Sequence, residues 1–208
     1  MSEARLFVIA APSGAGKTSL VHALVSGSDD VVVAVSHTTR QIRPGETDGN
    51  NYFFVTRDEF RALIDDGGFL EWAEVFGNYY GTSRREAERL MASGKHLILE
   101  IDWQGAAQVK ALMPDTSAIF ILPPSLPTLR QRLEARAQDD PVTMKRRTDA
   151  AIEEISHIHE FDYVIVNDDF NDALADLGRI VAGDAEDLHR DRLSPSVSAL
   201  ISDLLANS

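Results

Sequence analysis

A group of glycines followed by a lysine and a threonine lies near the start of the chain, in VIAAPSGAGKTSL at residues 8–20. The stretch matches the phosphate-binding pattern G-x-x-x-x-G-K-[ST], except that Ala11 occupies the position of the first glycine. Pro12 favours extended backbone with negative φ at the residue before it, so alanine can serve there. Lys17 can reach the β- and γ-phosphates of a nucleotide, and the Thr18 hydroxyl can bind Mg²⁺. The predicted nucleotide-binding loop comprises Ala11, Pro12, Ser13, Gly14, Ala15, Gly16, Lys17 and Thr18.

A second group of residues suited to phosphate lies in VSHTTRQIRPGETDGNNYFFV at residues 35–55. Arg40 and Arg43 are three residues apart and could hold one phosphate group through bidentate hydrogen bonds. Tyr52 could supply a third donor. The stretch therefore indicates a second anionic substrate.

The carboxylate of Glu71 lies among apolar residues in FLEWAEVFGNYYGTS at residues 69–83. If Glu71 is buried, its carboxylate needs hydrogen-bond donors. Guanine presents N1–H and the 2-amino group side by side, whereas adenine has neither, so such a site would select guanine. The alternative from composition alone is that Glu71 is an ordinary surface acid.

The composition narrows the class of protein. The chain has 208 residues, which suits one domain with inserted subdomains, and 44% are hydrophobic. It has no cysteine, which excludes disulfides, thiolate zinc sites and catalytic thiols. A net charge of −13 disfavours nucleic acid polymers as partners. Neither a membrane span nor a signal peptide is expected from the short apolar runs, so a cytoplasmic protein is predicted.

Short β-branched runs alternate with amphipathic segments along the chain. This alternation predicts an α/β protein with a parallel sheet covered by helices on both faces. Ligands then bind at the carboxyl ends of the strands. The predicted strands are residues 6–10, 31–35, 96–101, 118–122 and 163–167, and the predicted helices are residues 17–26, 104–113, 126–136 and 170–183.

Three segments fall outside this alternation. Residues 37–90 contain turn signals, a short strand, a helix and an aromatic stretch, which together predict an inserted subdomain. Residues 136–147 are polar and charged, and they predict a mobile lid between helices. The tail at residues 185–208 contains a short amphipathic helix after Pro195, which could dock on the core or on another subunit.

Six stretches, in the same order and spanning residues 6 to about 182, resemble the guanylate kinase family. They are APSGAGKTSL, SHTTRQIRPGETDGNNYFF, FLEWAEVFGNYYGTS, EIDWQGA, FILPPS and VIVND. The resemblance implies a P-loop NTPase-type fold and transfer of phosphate from ATP to GMP. It implies a kinase domain at residues 4–184, with its core at 4–35 and 95–184, the GMP-binding insertion at about 37–90 and the lid at about 136–147.

The resemblance also implies roles for residues at matching positions. The ATP site would be the loop described above together with Asn167 near the adenine. The residues implied to bind GMP are Ser36, Arg40, Arg43, Tyr52, Glu71, Tyr80, Thr82, Glu100 and Asp102. The residues implied to act on the transferred phosphoryl group are Lys17, Arg43, Arg136 and Arg147. Mg²⁺ would be held by Thr18 and, through water, by Asp102.

Two other classes of protein share parts of this pattern. One is a P-loop kinase for a different monophosphate or a sugar phosphate, which Glu71 and Thr82 argue against. The other is a non-enzymatic guanylate-kinase-like module that binds phosphopeptides, which the intact Gly16-Lys17-Thr18 argues against. The expected partners are therefore ATP and GMP, with no nucleic acid polymer and no membrane, and a homodimer is left open.

Overall fold

A computed structural model of the chain describes residues 4–136 and 141–206, apart from the side chains of residues 136 and 141–144. The strands are β1 Leu6–Ala10, β2 Val31–Val33, β3 His37–Thr38, β4 Phe53–Phe54, β5 Phe69–Val75, β6 Asn78–Ser83, β7 His96–Glu100, β8 Ser117–Leu122 and β9 Tyr163–Val166. The helices are α1 Lys17–Ser26, α2 Arg57–Asp65, α3 Arg84–Met91, α4 Trp103–Leu112, α5 Leu126–Arg136, α6 Pro141–Ser156, α7 Phe170–Ala182 and α8 Pro195–Ala206. Within the described ranges, no helix is long and apolar enough to cross a membrane.

A five-stranded sheet has the order β2-β7-β1-β8-β9. β2 runs parallel to β7, with Val31 opposite His96, and β8 runs parallel to β9, with Ile119 opposite Tyr163. All of β1 is buried, and so is β8 beyond its first residue. Strands that are apolar along their whole length are typical of parallel sheets covered on both faces. The predicted α/β class is confirmed.

Residues 37–83 build a second sheet with the order β4-β3-β6-β5. β3 pairs in parallel with β4 and antiparallel with β6, and β5 and β6 form a hairpin. The hairpin turns at Phe76 and Gly77, whose φ angles of 50° and 75° suit a two-residue turn between twisted strands. The buried ring of Phe60 in α2 stacks against aromatic rings of β5 and β6. This sheet lies inside the segment that the sequence predicts as an insertion.

The chain divides into two compact units, and β1 contributes to both. Unit 1 comprises Met1–Val8 and Asp29–Thr116, which include β2 to β7 and α2 to α4. Unit 2 comprises Ile9–Ser28 and Ser117–Ser208, which include α1, β8, β9 and α5 to α8. In unit 2, α1 packs against α7, and α6 packs against α5 and α8. The tail helix α8 therefore docks on its own unit.

The structure differs from the sequence-based prediction most clearly in the lid. Residues 141–147 form the first turns of α6 instead of a segment between helices, and residues 137–140 lie outside the described residues. Pro141 is the first residue of α6, a position where proline's missing N–H leaves no helical hydrogen bond unmade. A smaller difference is that β2 ends at Val33, before the predicted end at residue 35.

Candidate functional site

The glycine-rich loop connects β1 to α1 in unit 2, as its pattern requires. The N–H of Ala15 donates to the carbonyl of Pro12 at 3.0 Å, which closes a tight turn. Gly14 and Gly16 have φ angles of 91° and 96°, which residues with a side chain rarely adopt. Ala11 does not need such a conformation, because Phe76 is the one non-glycine residue with positive φ in the described part of the chain. The expectation that Ala11 needs no positive φ is therefore confirmed.

Lys17 and Thr18 are the first two residues of α1. The first turn of a helix presents unpaired backbone N–H groups and a partial positive charge, which together favour an anion. Thr18 is exposed and Lys17 is half-buried. The Lys17 ammonium and the Thr18 hydroxyl thus lie at the first turn of α1, whose backbone N–H groups suit phosphate oxygens.

Asn167 supports the glycine-rich loop through a hydrogen bond to its backbone. It follows β9, and its buried side chain donates from Nδ2 to the carbonyl of Ala15 at 2.6 Å. A Cβ on Gly16 would collide with this Nδ2. The sequence predicted Asn167 near the adenine, which stays a prediction, whereas its contact with the loop backbone was not anticipated.

Arginines of α5 and α6 lie in the same unit as the loop. Arg132, to which the sequence assigned no role, donates from Nη2 to the carbonyl of Asn167 at 3.1 Å. Its Nη1 is buried without a hydrogen-bond partner among the described residues. Arg147 is half-buried on α6, and Arg136 is the last residue of α5. The side chain of Arg136 lies outside the described part of the structure.

All the residues predicted to bind GMP lie in unit 1, and three of them form a buried polar group. Glu71 of β5 is 3% exposed and pairs across the sheet with Thr82 of β6, which is also buried. The Thr82 hydroxyl lies 3.4 Å from the hydroxyl of Ser36. The register shifts between Phe69 and Glu71, and a bulge of this kind re-aims the side chains that follow it. Glu71 is therefore buried, and the prediction of an ordinary surface acid is wrong.

The carboxylate of Glu71 reaches the first turn of α4. A Cβ on Gly105 would lie 2.5 Å from Oε2 of Glu71, so this close approach requires glycine. The side chain of Asp102 caps α4 by accepting from the Gly105 N–H at 2.9 Å, and its other oxygen accepts from Gln104 at 3.1 Å. Asp102 thus has a capping role besides the one predicted, and Gly105 is a site residue that the sequence reasoning missed.

Arg40 is held by a carboxylate that the sequence reasoning also missed. Its Nη2 and Nη1 donate to the two oxygens of Glu46 at 2.8 and 3.0 Å. The backbone N–H of Arg43 donates to the same carboxylate at 2.8 Å. The hydrogen bond from Arg40 lowers the pKa of Glu46. Glu46 thus fixes the Arg40 side chain to the turn that carries Arg43. An acid directly after the Pro-Gly turn and three residues after Arg43 was the signal that could have identified it.

Tyrosines complete this cationic region. The Arg40 guanidinium lies 5.3 Å from the ring centre of Tyr52, and the rings of Tyr52 and Tyr80 are 5.9 Å apart. Burial and, to a smaller extent, the negative charge of Glu100 raise the pKa of Tyr52 to about 12. The Tyr52 hydroxyl is therefore a neutral donor at physiological pH. Glu100 is the last residue of β7, and its negative charge acts on Tyr52.

Comparison with known proteins gives a consistent result. The family model described as guanylate kinase matches residues 3–184. The guanylate kinase of Methylococcus capsulatus (strain ATCC 33009 / NCIMB 11132 / Bath) is 53% identical, covering 99% of this chain and 100% of that protein. The guanylate kinase of Escherichia coli (strain K12) is 51% identical, covering 100% of each. The crystal structure of guanylate kinase from Anaplasma phagocytophilum has a TM-score of 0.74 at 32% identity, covering 93% of this chain and 98% of that one.

A parallel sheet whose first strand leads through a glycine-rich loop into a helix beginning Lys17-Thr18 defines a P-loop kinase fold. Within that class, the family match and the full-length relatives are decisive. The chain belongs to the guanylate kinase family and transfers the γ-phosphoryl group of ATP to GMP, giving ADP and GDP. This decides against a kinase for another monophosphate and against a non-enzymatic module.

Proposed function

We propose that GMP binds in unit 1 and that Glu71 reads its base. The observation that carries the proposal is the buried carboxylate of Glu71, paired across the sheet with Thr82 and accompanied by the Ser36 hydroxyl. A buried carboxylate is stable only where donors face it, and guanine supplies two adjacent donors. Adenine would leave this carboxylate without those donors, which explains selection of GMP over AMP. Asp102 contributes to the base site from the start of α4.

The phosphate of GMP is assigned to the cationic end of the same unit. Arg40 and Arg43 supply guanidinium groups, and Tyr52 and Tyr80 supply neutral hydroxyl donors. The Arg40 guanidinium donates two hydrogen bonds to the Glu46 carboxylate, so phosphate would bind to a guanidinium that is already oriented. Glu100 lies close enough to Tyr52 to affect its ionisation, which supports its assignment to the proposed GMP site.

ATP is assigned to the glycine-rich loop, to Lys17 and Thr18, and to Asn167 in unit 2. Mg²⁺ fits the oxygen ligands present, since the Thr18 hydroxyl is exposed at the start of α1. When bound, Mg²⁺ supplies positive charge to the β- and γ-phosphates.

The chemistry requires positioning and charge neutralisation, and no covalent nucleophile from the protein. An oxygen of the GMP phosphate attacks the γ-phosphorus of ATP in line while the bond to the ADP oxygen breaks. Lys17, Arg43, Arg136 and Arg147 are assigned to offset the charge that develops on the transferred group. Backbone N–H groups of the loop hold the phosphates of the leaving ADP.

The base assignment is tested by measuring ADP release with GMP, IMP, AMP, CMP, UMP and dTMP. In Glu71→Gln, the amide turns an N–H donor toward a guanine donor and removes the charge. We expect kcat/KM for GMP to fall about tenfold to a hundredfold, roughly 1.4–2.8 kcal/mol. The preference for GMP over IMP, which lacks the 2-amino group, should shrink.

Glu74→Gln is the matched control, because Glu74 lies in the same strand and is exposed. It should retain the kinetic constants and base preference of the unsubstituted enzyme. Full retention of the GMP preference by Glu71→Gln would show that Glu71 does not read the base.

We extend the proposal to the organisation of the whole chain. Residues 4–184 form the kinase domain, with a GMP-binding insertion at 37–90 and a lid at 136–147, and residues 185–208 form the tail. The second sheet, built within 37–83, supports the insertion. The proposed location is the cytoplasm. A homodimer would have to use surfaces other than the face of α8 that packs against α6.

A further inference from the structure

β5 carries Glu71 at the edge of the second sheet. The order β4-β3-β6-β5 leaves one side of β5 without a partner strand in the part of the chain that the structure describes. The register shift between Phe69 and Glu71 also interrupts the pairing with β6 just before Glu71. A strand that is bulged and lies at an edge is poorly held by its sheet alone. Precise placement of the Glu71 carboxylate therefore needs support from another element.

One side chain of α4 provides that support. Gln108 accepts from the N–H of Trp72 at 3.2 Å and donates from Nε2 to the carbonyl of Trp72 at 2.8 Å. Both backbone groups of the residue after Glu71 are thus satisfied by one amide, in the manner of an added strand. Because both of these Trp72 groups bond to Gln108, they point toward α4 and away from Gly81, the residue opposite in β6.

Gln108 and Gly105 lie three residues apart on α4, which places them on one face of the helix. Gly105 makes room for the Glu71 carboxylate, and Gln108 fixes the backbone one residue further along β5. Asp102 caps the same helix through the N–H of Gly105. The start of α4 therefore contacts the Glu71 side chain and anchors its strand.

We propose that Gln108 is a positioning residue for base selection, acting through Glu71. The inference rests on the proposed base-reading role of Glu71. Gln108 sets where the Glu71 carboxylate lies relative to a bound guanine. Its loss should weaken recognition of the 2-amino group and of N1–H without changing the phosphate contacts or the transfer step.

The test compares Gln108→Met, which keeps the side-chain length but removes both hydrogen bonds, with Gln131→Met. Gln131 is exposed on α5 and serves as the matched control. In Gln108→Met we expect KM for GMP to rise and kcat to change little. The kcat/KM ratio of GMP over IMP should fall about tenfold, which is the effect expected from losing one or two neutral hydrogen bonds. The Gln131→Met ratio should stay unchanged.

Two further variants separate the possible failures. Gln108→Glu retains an acceptor for the Trp72 N–H but places a carboxylate against the Trp72 carbonyl. It should therefore also lose base preference. This variant serves as the test if Gln108→Met does not fold. In a Glu71→Gln background, Gln108→Met should lower the GMP to IMP ratio no further.

Suppose that both Gln108 variants melt at a lower temperature but keep the kcat/KM ratio of GMP over IMP, while Glu71→Gln lowers that ratio. This result would overturn the positioning role of Gln108 and leave the base-reading role of Glu71 intact. If Glu71→Gln itself leaves the ratio unchanged, the base-reading assignment and this inference both fall. A further drop caused by Gln108→Met in the Glu71→Gln background would show that Gln108 does not act through Glu71.

Discussion

Tyr52 shows how burial at one residue sets a chemical property of the site. Burial raises the pKa of Tyr52 to about 12, with Glu100 and Tyr80 as further causes. The hydroxyl therefore stays protonated over the whole range in which the enzyme can work, and it can donate to a phosphate. A tyrosine in water would begin to ionise about two pH values lower.

The alkaline titration of Tyr52 is the first prediction at this scale. The chain has four tyrosines, and near-ultraviolet absorbance should show one of them ionising near pH 12, a transition that Tyr52→Phe removes. Because the pKa is higher in the folded state, the stability that neutral Tyr52 contributes is complete below about pH 10 and is lost as the pH rises through about 12. This loss is on the order of 2 kcal/mol.

The free energy of unfolding should therefore fall more steeply between these pH values in the unsubstituted enzyme than in Tyr52→Phe. Urea unfolding of the two proteins at matched alkaline pH measures the difference. Ionisation of all four tyrosines near pH 10 would contradict the burial of Tyr52.

Other residues show which part of the site could be predicted one residue at a time. Some site residues can be recognised from their sequence neighbours. These are Lys17 after a glycine-rich loop, Arg40 in a pair of arginines and Glu71 among apolar residues. Gly105 cannot be recognised in this way, because its importance comes from a carboxylate 34 positions earlier in the chain, which the fold brings against it. Glu46 was missed because an acid in a polar turn is ordinary until its arginine partner is known.

At the scale of elements, the glycine-rich loop depends on a strand far along the sequence. Asn167, after β9, holds the Ala15 carbonyl and packs where any side chain on Gly16 would stand. We predict that Asn167→Ala loosens the loop and raises KM for ATP about tenfold, while KM for GMP changes less than about twofold. Steady-state kinetics with each substrate varied in turn measures both constants.

Asn171→Ala is the control for this change, since Asn171 is exposed at the start of α7 in the same unit. It should retain both KM values. Equal increases in the two KM values for Asn167→Ala would instead indicate a general loss of structure, and unchanged values would remove the loop-supporting role.

The lid illustrates where local pattern was misleading. Its polar, charged composition predicted a segment between helices, whereas residues 141–147 belong to α6; that the segment acts as a lid stays a prediction. Proline at the first position and the buried residues Ala151, Ile152 and Ile155, spaced three and four apart, are typical of a helix, but the prediction gave more weight to the charge run. Packing of α6 against α5 and α8 supplies the stabilisation that the composition does not reveal.

At the scale of the whole molecule, the predicted binding residues separate by unit, with those for GMP in unit 1 and those of the ATP loop in unit 2. Hydrogen exchange should therefore reveal two independent responses. GMP alone should slow exchange in β3, β5, β6 and the first turn of α4. A non-hydrolysable ATP analogue with Mg²⁺ should slow exchange in the loop and in α1, by up to about a hundredfold when ligand is at 100 times Kd.

AMP alone is the control for the first response, because it has the phosphate of GMP without the guanine donors. It should leave the amides around Glu71 unprotected. Protection of the loop by GMP alone, equal to that in unit 1, would contradict the separate assignment of the two nucleotides.

The sequence by itself determined the fold class, the phosphate-binding loop and the guanylate kinase family. Each of these depends on local order: a buried strand, glycines that permit positive φ, and a helix start that presents N–H groups to anions. The tertiary structure alone decided that Glu71 is buried, that Asn167 supports the loop, that Glu46 holds Arg40 and that Gln108 anchors β5. These are contacts between residues that can be far apart in sequence, and their energies come from desolvation and hydrogen bonding that exist only once the chain has folded.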